Sequence, residues 1–430
     1  MFGVELRLVF IAKTPGCDKS SFQSLPIYGV VTRLLLLKDR MYKKALTSLT
    51  ILFFMMGFIT CLNDILVPYL KAIFALTYSQ AALIQFCFFA AYGLTSIPFS
   101  KLIENIGYQK GMVVGFALAA LGCLLFYPAV LLHTYALFLG ALFVLASGIV
   151  LLQVAANPCV SIIGPQETAS SRLTMAQAFN SLGTFVAPFF GAYFILSGLS
   201  NSVYAEGVVY PYFLIAGVLI VIALVLSKIN LSGMETAEAD QSSWLEVLKE
   251  KGLLLGVIGI FAYVGAEVSI GSFLVNYVME ISHVPETQAA PLVALYWGGA
   301  MIGRFIGIFT LKMFAPAKVL MTHAVLAVVL ILVSMQTTGN LAIASMALVG
   351  LCNSIMFPTI FTLGIQGLKA GQEKKGSGLL ATAILGGAIV PLLTGLLADR
   401  LGLHHAFILP VICYAYIAWL GISHLKARSY

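Results

Sequence analysis

Runs of roughly twenty apolar residues recur along this chain from about residue 46 to residue 425, each the length a helix needs to cross a hydrocarbon layer ~30 Å thick. A closed barrel would instead show alternating segments of about ten residues, which are absent, so helices must satisfy the backbone in lipid. Composition agrees. Of 430 residues, 60% are hydrophobic and 10% charged, against about 25% charged in soluble domains, and no stretch remains for a separate soluble domain.

Glycine, proline and charged boundaries place helices near 46–70, 79–101, 111–131, 135–164, 173–198 and 209–228, then near 254–280, 290–313, 317–336, 341–368, 376–400 and 404–425. The expected fold is an all-α membrane protein of twelve transmembrane helices. Lysines and arginines gather in alternate connections, with Lys71 and Arg400 as exceptions, which places both termini in the cytoplasm. The net charge of +7 is thus a topogenic signal. It is not gathered on one surface, and no nucleic-acid partner is expected. The seven cysteines show no metal-ligand spacing and read as small apolar fillers.

Residues 1–45 form an N-terminal cytoplasmic segment. Its first forty residues are unpatterned and lead into Met41-Tyr-Lys-Lys, a short basic start to a span, with no signal-peptide cleavage site. The preferred reading is translation from Met41. The alternative is a genuine cytoplasmic tail, and N-terminal sequencing decides between them.

A single long polar connection, residues 229–253, separates a bundle at 46–228 from one at 254–430. A repeat runs across it. Gln153 precedes Pro158 by five residues, as Asn353 precedes Pro358. Gly183 precedes Pro188 by five, as Gly386 precedes Pro391. The offset is 200 to 203 residues, and carried back to the first helix of each half it aligns Asp64 with Glu267. Such repeats imply two pseudo-symmetric six-helix bundles holding a substrate between them near mid-membrane.

Asp64 has apolar turns before it and Pro68 after it. A carboxylate there costs several kcal/mol unless paired, hydrated or protonated, so it marks a proton site more readily than a backbone cap. Glu267 is a second protonation site, an acceptor for substrate hydroxyls or a structural partner. The amides Asn63, Gln85, Gln153, Asn157, Gln177, Asn180, Asn276 and Asn353 suit a ligand whose hydroxyls both donate and accept, although buried amides also join helices. Tyr296 and Trp297 offer a flat face to a sugar ring. Glycine loops for phosphate, metal-ligand pairs and a nucleophile with its base are missing, so neither an enzyme nor a cofactor is indicated.

Five motifs carry a resemblance: Gly57-Phe-Ile-Thr-Cys-Leu-Asn-Asp-Ile-Leu-Val-Pro68, Leu152-Gln-Val-Ala-Ala-Asn-Pro158, Ala176-Gln-Ala-Phe-Asn-Ser-Leu-Gly183, Tyr263-Val-Gly-Ala-Glu-Val-Ser-Ile-Gly271 and Asn353-Ser-Ile-Met-Phe-Pro-Thr-Ile-Phe361. With them the chain resembles the fucose/proton symporter branch of the major facilitator superfamily, most of all its bacterial glucose/galactose transporters. The resemblance implies proton-driven import of a sugar across the bacterial inner membrane, with the lipid bilayer and a small sugar as partners and a monomer as the working unit. It gives Asp64 the proton-linked role. Where the fucose symporter has a fourth-helix glutamate this chain has Gln153, which bonds a hydroxyl but cannot titrate. Met56 stands where relatives look to have tryptophan. Ser100-Lys-Leu-Ile-Glu-Asn-Ile-Gly-Tyr-Gln-Lys110 is similar to the superfamily's inner-loop signature and implies gating by Glu104 and Lys110. A second match, Gly395 to Gly402, falls on the outer side. The expected cycle is alternating access, with sugar on Gln153, Asn157, Gln177, Asn180 and Glu267. Rival readings are an N-acetylglucosamine or fucose symporter, an exporter of drugs or metabolites, a sugar sensor and a uniporter.

Overall fold

The computed structural model describes residues 46–62, 74, 78–194, 209–228 and 242–427. Asn63 and Asp64 lie outside the described residues, as do residues 1–45 and most of the central connection. Contacts divide the chain into Met1–Thr47 and Ser48–Tyr430, and all the packing below belongs to the second unit.

Helices account for nearly all of the described residues, with no strand among them. The first segment contains α1 (Leu46–Leu62), α2 (Tyr78–Leu131), α3 (Tyr135–Ile162), α4 (Ala169–Phe194) and α5 (Val209–Lys228). After a short α6 (Trp244–Lys249) come α7 (Lys251–Ser282), α8 (Glu286–Met313), α9 (Pro316–Gln336), α10 (Gly339–Asn353), α11 (Met356–Ile365), α12 (Gln372–Thr382), α13 (Gly386–Leu401), α14 (Leu403–Ala406) and α15 (Ile408–Ala427). Nine stretches among the described residues are long and apolar enough to cross a membrane. One of them runs through α2, whose 54 residues would be about 80 Å long if straight, more than twice the hydrocarbon thickness. It bends at Gly107, where φ is 81° and ψ 166°, so the expected polar loop between the second and third spans shrinks to one glycine in a conformation that other residues rarely adopt. With α1 and α4 added, the chain crosses twelve times, as its apolar runs predict.

Two expected spans are broken. The tenth divides at Ser354 and Ile355 between α10 and α11, and Pro358 sits in the first turn of α11, where its missing N–H is not needed. The eleventh divides at a 3-10 turn, Ala383–Leu385, between α12 and α13. Pro158 and Pro188 of the first half, by contrast, lie inside continuous helices.

Glycines set the closest crossings within each half. A Cβ on Gly183 of α4 would stand 2.1 Å from the Phe54 carbonyl of α1, and one on Gly386 of α13 would stand 2.2 Å from the Phe261 carbonyl of α7. These crossings correct the repeat. Gly183 and Gly386 are 203 residues apart, but Phe54 and Phe261 are 207 apart. The first helices of the halves are therefore offset by four more residues, about one turn, and the counterpart of Glu267 is Thr60 rather than Asp64.

Between the halves, α2 and α3 pack on α12, and α4 packs on α8 and α11. The seam is hydroxyl-rich. Ser100 Oγ donates to the Lys374 carbonyl at 2.6 Å, Ser171 Oγ to that of Ile308 at 2.7 Å, and Ser377 Oγ to that of Val154 at 2.8 Å, while Ser170 and Thr362 share a bond of 2.6 Å.

Candidate functional site

Glu267 sits mid-way along α7, where Gly265 lets α13 approach and the carboxylate is part-buried. Its Oε1 accepts from Tyr263 Oη at 2.7 Å, and its carbonyl accepts from Tyr296 Oη of α8 at 3.1 Å. Asn353, wholly buried at the end of α10, donates from Nδ2 to Tyr296 Oη at 2.7 Å and accepts at Oδ1 from Tyr414 Oη of α15 at 2.6 Å. Four helices are thereby tied together around one acid. Both polar ends of Asn353 are committed to tyrosines, and the Tyr296 ring is fully buried. Neither of these two expected sugar ligands has an exposed face in this structure.

Arg304, also on α8, approaches the same acid. Its charge acts on Glu267 and Tyr263, its Nη1 donates to Ser181 Oγ of α4, and its Nε is buried without a hydrogen-bond partner among the described residues. Ser181 in turn donates to the Gln177 carbonyl at 3.2 Å. Arg304 thus links the Glu267 cluster of the second half to the amide-bearing helix of the first.

In the first half Gln153 Nε2 donates to Tyr92 Oη at 2.9 Å. This is the same amide-to-tyrosine bond that Asn353 makes with Tyr296, so the repeat preserves a contact as well as a spacing. Asn180 Nδ2 donates to the Phe53 carbonyl at 3.0 Å and joins α4 to α1. Gln177 is buried, and Asn157 is buried with an Oδ1 that finds no partner among the described residues.

A cavity of about 550 Å³ lies between the halves. Its polar side chains are Thr60 of α1, Gln85 of α2 and Ser272 of α7, and the rest of its lining is mainly aromatic and aliphatic. Trp297 lies on it, 44% exposed, over Gly271, where a Cβ would stand 2.7 Å from the indole. Tyr296 meets Trp297 edge to face, with ring centroids 5.1 Å apart. Glu267 neighbours Val268 of the cavity wall. Of the expected ligand residues, Gln85 and Trp297 line the cavity, and Asn276 is exposed outside its lining.

The opposite end of the seam holds an ion pair at one of the two expected gating residues. Gln85 and Glu104 of α2 are nineteen residues apart, or about 28 Å along a helix. Glu104 Oε1 stands 3.6 Å from Lys375 Nζ of α12, and both side chains are largely buried. Lys375 also donates to the Ser242 carbonyl at 2.7 Å, and Gln372 Nε2 to Ser242 Oγ at 3.2 Å. Lys374 Nζ lies 5.6 Å from the centre of the Tyr108 ring. Lys110, the other expected gating residue, is exposed.

Arg304 and Lys375 were not anticipated from the sequence. Arg304 lies in Gly298-Gly-Ala-Met-Ile-Gly-Arg304-Phe-Ile-Gly307. A cation in mid-span there is as costly as an acid, and applying the rule to both signs finds it. Lys375 is 203 residues from Arg172, which is buried and donates to the Val160, Ser161 and Pro165 carbonyls at the end of α3. The repeat therefore marks both positions.

Twelve crossings in two related segments, a cavity between them and a seam closed at one end define a multi-pass membrane carrier. The sequence pattern of the Major Facilitator Superfamily matches residues 48–384, and the chain belongs to that family. It is 53% identical to the glucose/galactose transporter of Brucella abortus biovar 1 (strain 9-941) over 90% of this chain and 95% of that one. It is 34% identical to the L-fucose-proton symporter of Escherichia coli (strain K12) over 88% and 93%. Among solved structures it is similar to the superfamily transporter FucP in the outward conformation, with a TM-score of 0.81 and 32% identity over 89% of this chain and 98% of that one.

Proposed function

We propose that this protein imports a hexose of the glucose/galactose type across the bacterial inner membrane together with a proton, as a monomeric carrier and not an enzyme. The observation that carries the reading is the pairing of an open cavity between the halves with a hydroxyl-bonded, ion-paired seam at the opposite end. A carrier of this build alternates by rocking two bundles, 46–228 and 254–430, about a site that stays fixed. The seam end, with Glu104, faces the cytoplasm, and the cavity opens outward. The similarity to a glucose/galactose transporter and to an L-fucose-proton symporter supports the substrate class and the coupling ion.

Glu267 accepts a sugar hydroxyl once Tyr263 turns toward the ligand, and Gln153, Asn157, Gln177 and Asn180 offer amides from the other half. Asp64 carries the proton, with Asn63 beside it, because Gln153 has no titratable group. The test is uptake of labelled galactose and glucose into vesicles under an imposed pH gradient. Uptake rises with an inward proton gradient in the native protein, and Asp64→Asn removes that response while leaving sugar exchange. Uptake indifferent both to the gradient and to Asp64→Asn overturns the proton coupling.

A further inference from the structure

The cavity is of a different chemistry from the amides expected to hold sugar. Its wall is Phe86, Phe88 and Phe89 from α2, Trp297 from α8, and Pro391 and Leu392 from α13. Only three of its side chains are polar, and of the expected amides only Gln85 reaches it. Its shape is built by glycines. Gly271 admits the indole of Trp297, and Gly387 of α13 admits Phe89 across the seam, where a Cβ would stand 2.5 Å from the ring. Tyr296 meets the indole edge to face and is itself fixed by Asn353 and the Glu267 carbonyl. The result is a pre-formed aromatic slot one residue from Glu267, at the point where a sugar would leave the polar groups and meet apolar walls.

Resting on the hexose reading above, we propose that this slot is a subsite for the aglycone of an aryl glycoside, with the aromatic group seated between Trp297 and the α2 phenylalanines and the sugar directed toward Glu267. A flat ring matches such walls by edge-to-face and offset contacts, and burying it displaces water that three polar side chains hold weakly. A free hexose, polar over most of its surface, leaves the slot unfilled. Aryl glycosides of the transported sugar therefore bind more tightly than the sugar and compete with its uptake.

The experiment is calorimetric titration of the purified full chain in detergent with methyl β-galactoside and phenyl β-galactoside, alongside galactose uptake in vesicles. The phenyl compound binds at least about tenfold more tightly than the methyl one. Ala388→Leu at the α13 wall of the cavity, which fills the slot, cuts that advantage to about twofold or less. Gly271→Ala, which displaces the indole, does the same and provides the readout should Ala388→Leu fail to accumulate. Equal binding of the two glycosides, or an advantage that survives both substitutions, overturns the subsite. So does an advantage that disappears when phospholipid is added back, which would make a lipid chain the occupant. Galactose uptake with no phenyl advantage sinks the subsite alone; absence of any sugar binding or uptake sinks the hexose reading and the subsite with it.

Discussion

Lys375 reaches across the seam to within 3.6 Å of Glu104 and at the same time donates to the Ser242 carbonyl. One ammonium thus holds α2 just before its bend at Gly107, the start of α12 and the connection between the halves. Lys375→Met removes a counter-charge from beside a carboxylate that is largely buried, which disfavours the closed seam by about 3 kcal/mol, on the order of a hundredfold in population. The readout is thiol labelling of Ser377→Cys, a wholly buried seam position, in a background with the native cysteines replaced. Labelling accelerates in Lys375→Met and falls back in the swap Glu104→Lys with Lys375→Glu. Unchanged labelling would show that the ion pair does not hold the seam.

Arg304 carries a charge that joins the Glu267 cluster to α4. Arg304→Gln keeps hydrogen-bonding capacity toward Ser181 but removes the charge that acts on Glu267 and Tyr263. Sugar uptake falls by tenfold or more, about 1.4 kcal/mol in the barrier, whereas Ser181→Ala, which removes the acceptor for Arg304 and a bond to the Gln177 carbonyl but leaves the charge, costs less. The comparison of initial uptake rates at equal membrane abundance checks the order. The reverse order would place the work of Arg304 in the seam bond and not in its charge.

The amide-to-tyrosine bonds of the two halves differ in depth, and this predicts unequal costs. Tyr296→Phe leaves the Nδ2 of a wholly buried Asn353 without its acceptor, at about 1–3 kcal/mol. Tyr92→Phe frees a half-buried Gln153 to be hydrated, at less than about 1 kcal/mol. Apparent melting temperature in detergent should drop clearly for the first and little for the second.

Glycine substitutions separate packing from propensity. Gly183→Ala forces a methyl into the Phe54 carbonyl, and because backbone must move the cost is about 2–3 kcal/mol with loss of folded yield. Gly217→Ala of α5 meets nothing within 4 Å and gains up to about 1 kcal/mol of helix propensity. Fluorescence-detected size exclusion of heated samples ranks the two.

The crossings and the repeat were legible because each depends on local spacing: twenty apolar residues for a span, five residues from glycine or amide to proline. What spacing could not give was register between helices. Gly183 and Gly386 align the fifth and eleventh spans, yet the Phe54 and Phe261 carbonyls they touch reveal a further turn between the first and seventh, and a one-turn slip leaves an apolar helix with the same composition on every face. Burial was equally silent. Tyr296 and Asn353 have the chemistry of ligands, and spacing says nothing of the bond between them or of the hydroxyl of Tyr414 that Asn353 accepts. Lys375 read as one more inner-side cation because its partner is 271 residues away in sequence.

The acceptors along the seam are main-chain carbonyls of Lys374, Ile308 and Val154, and the donors are serines. A serine on a helix can instead turn back onto the carbonyl four residues earlier, as Ser161 and Ser181 already do. Parting the seam therefore strands no donor in the hydrocarbon, since each hydroxyl has a second home on its own helix. The serine bonds therefore weigh little for or against parting, and what holds this end shut is left to the Glu104–Lys375 pair, a contact that a rocking carrier can break and remake in every cycle.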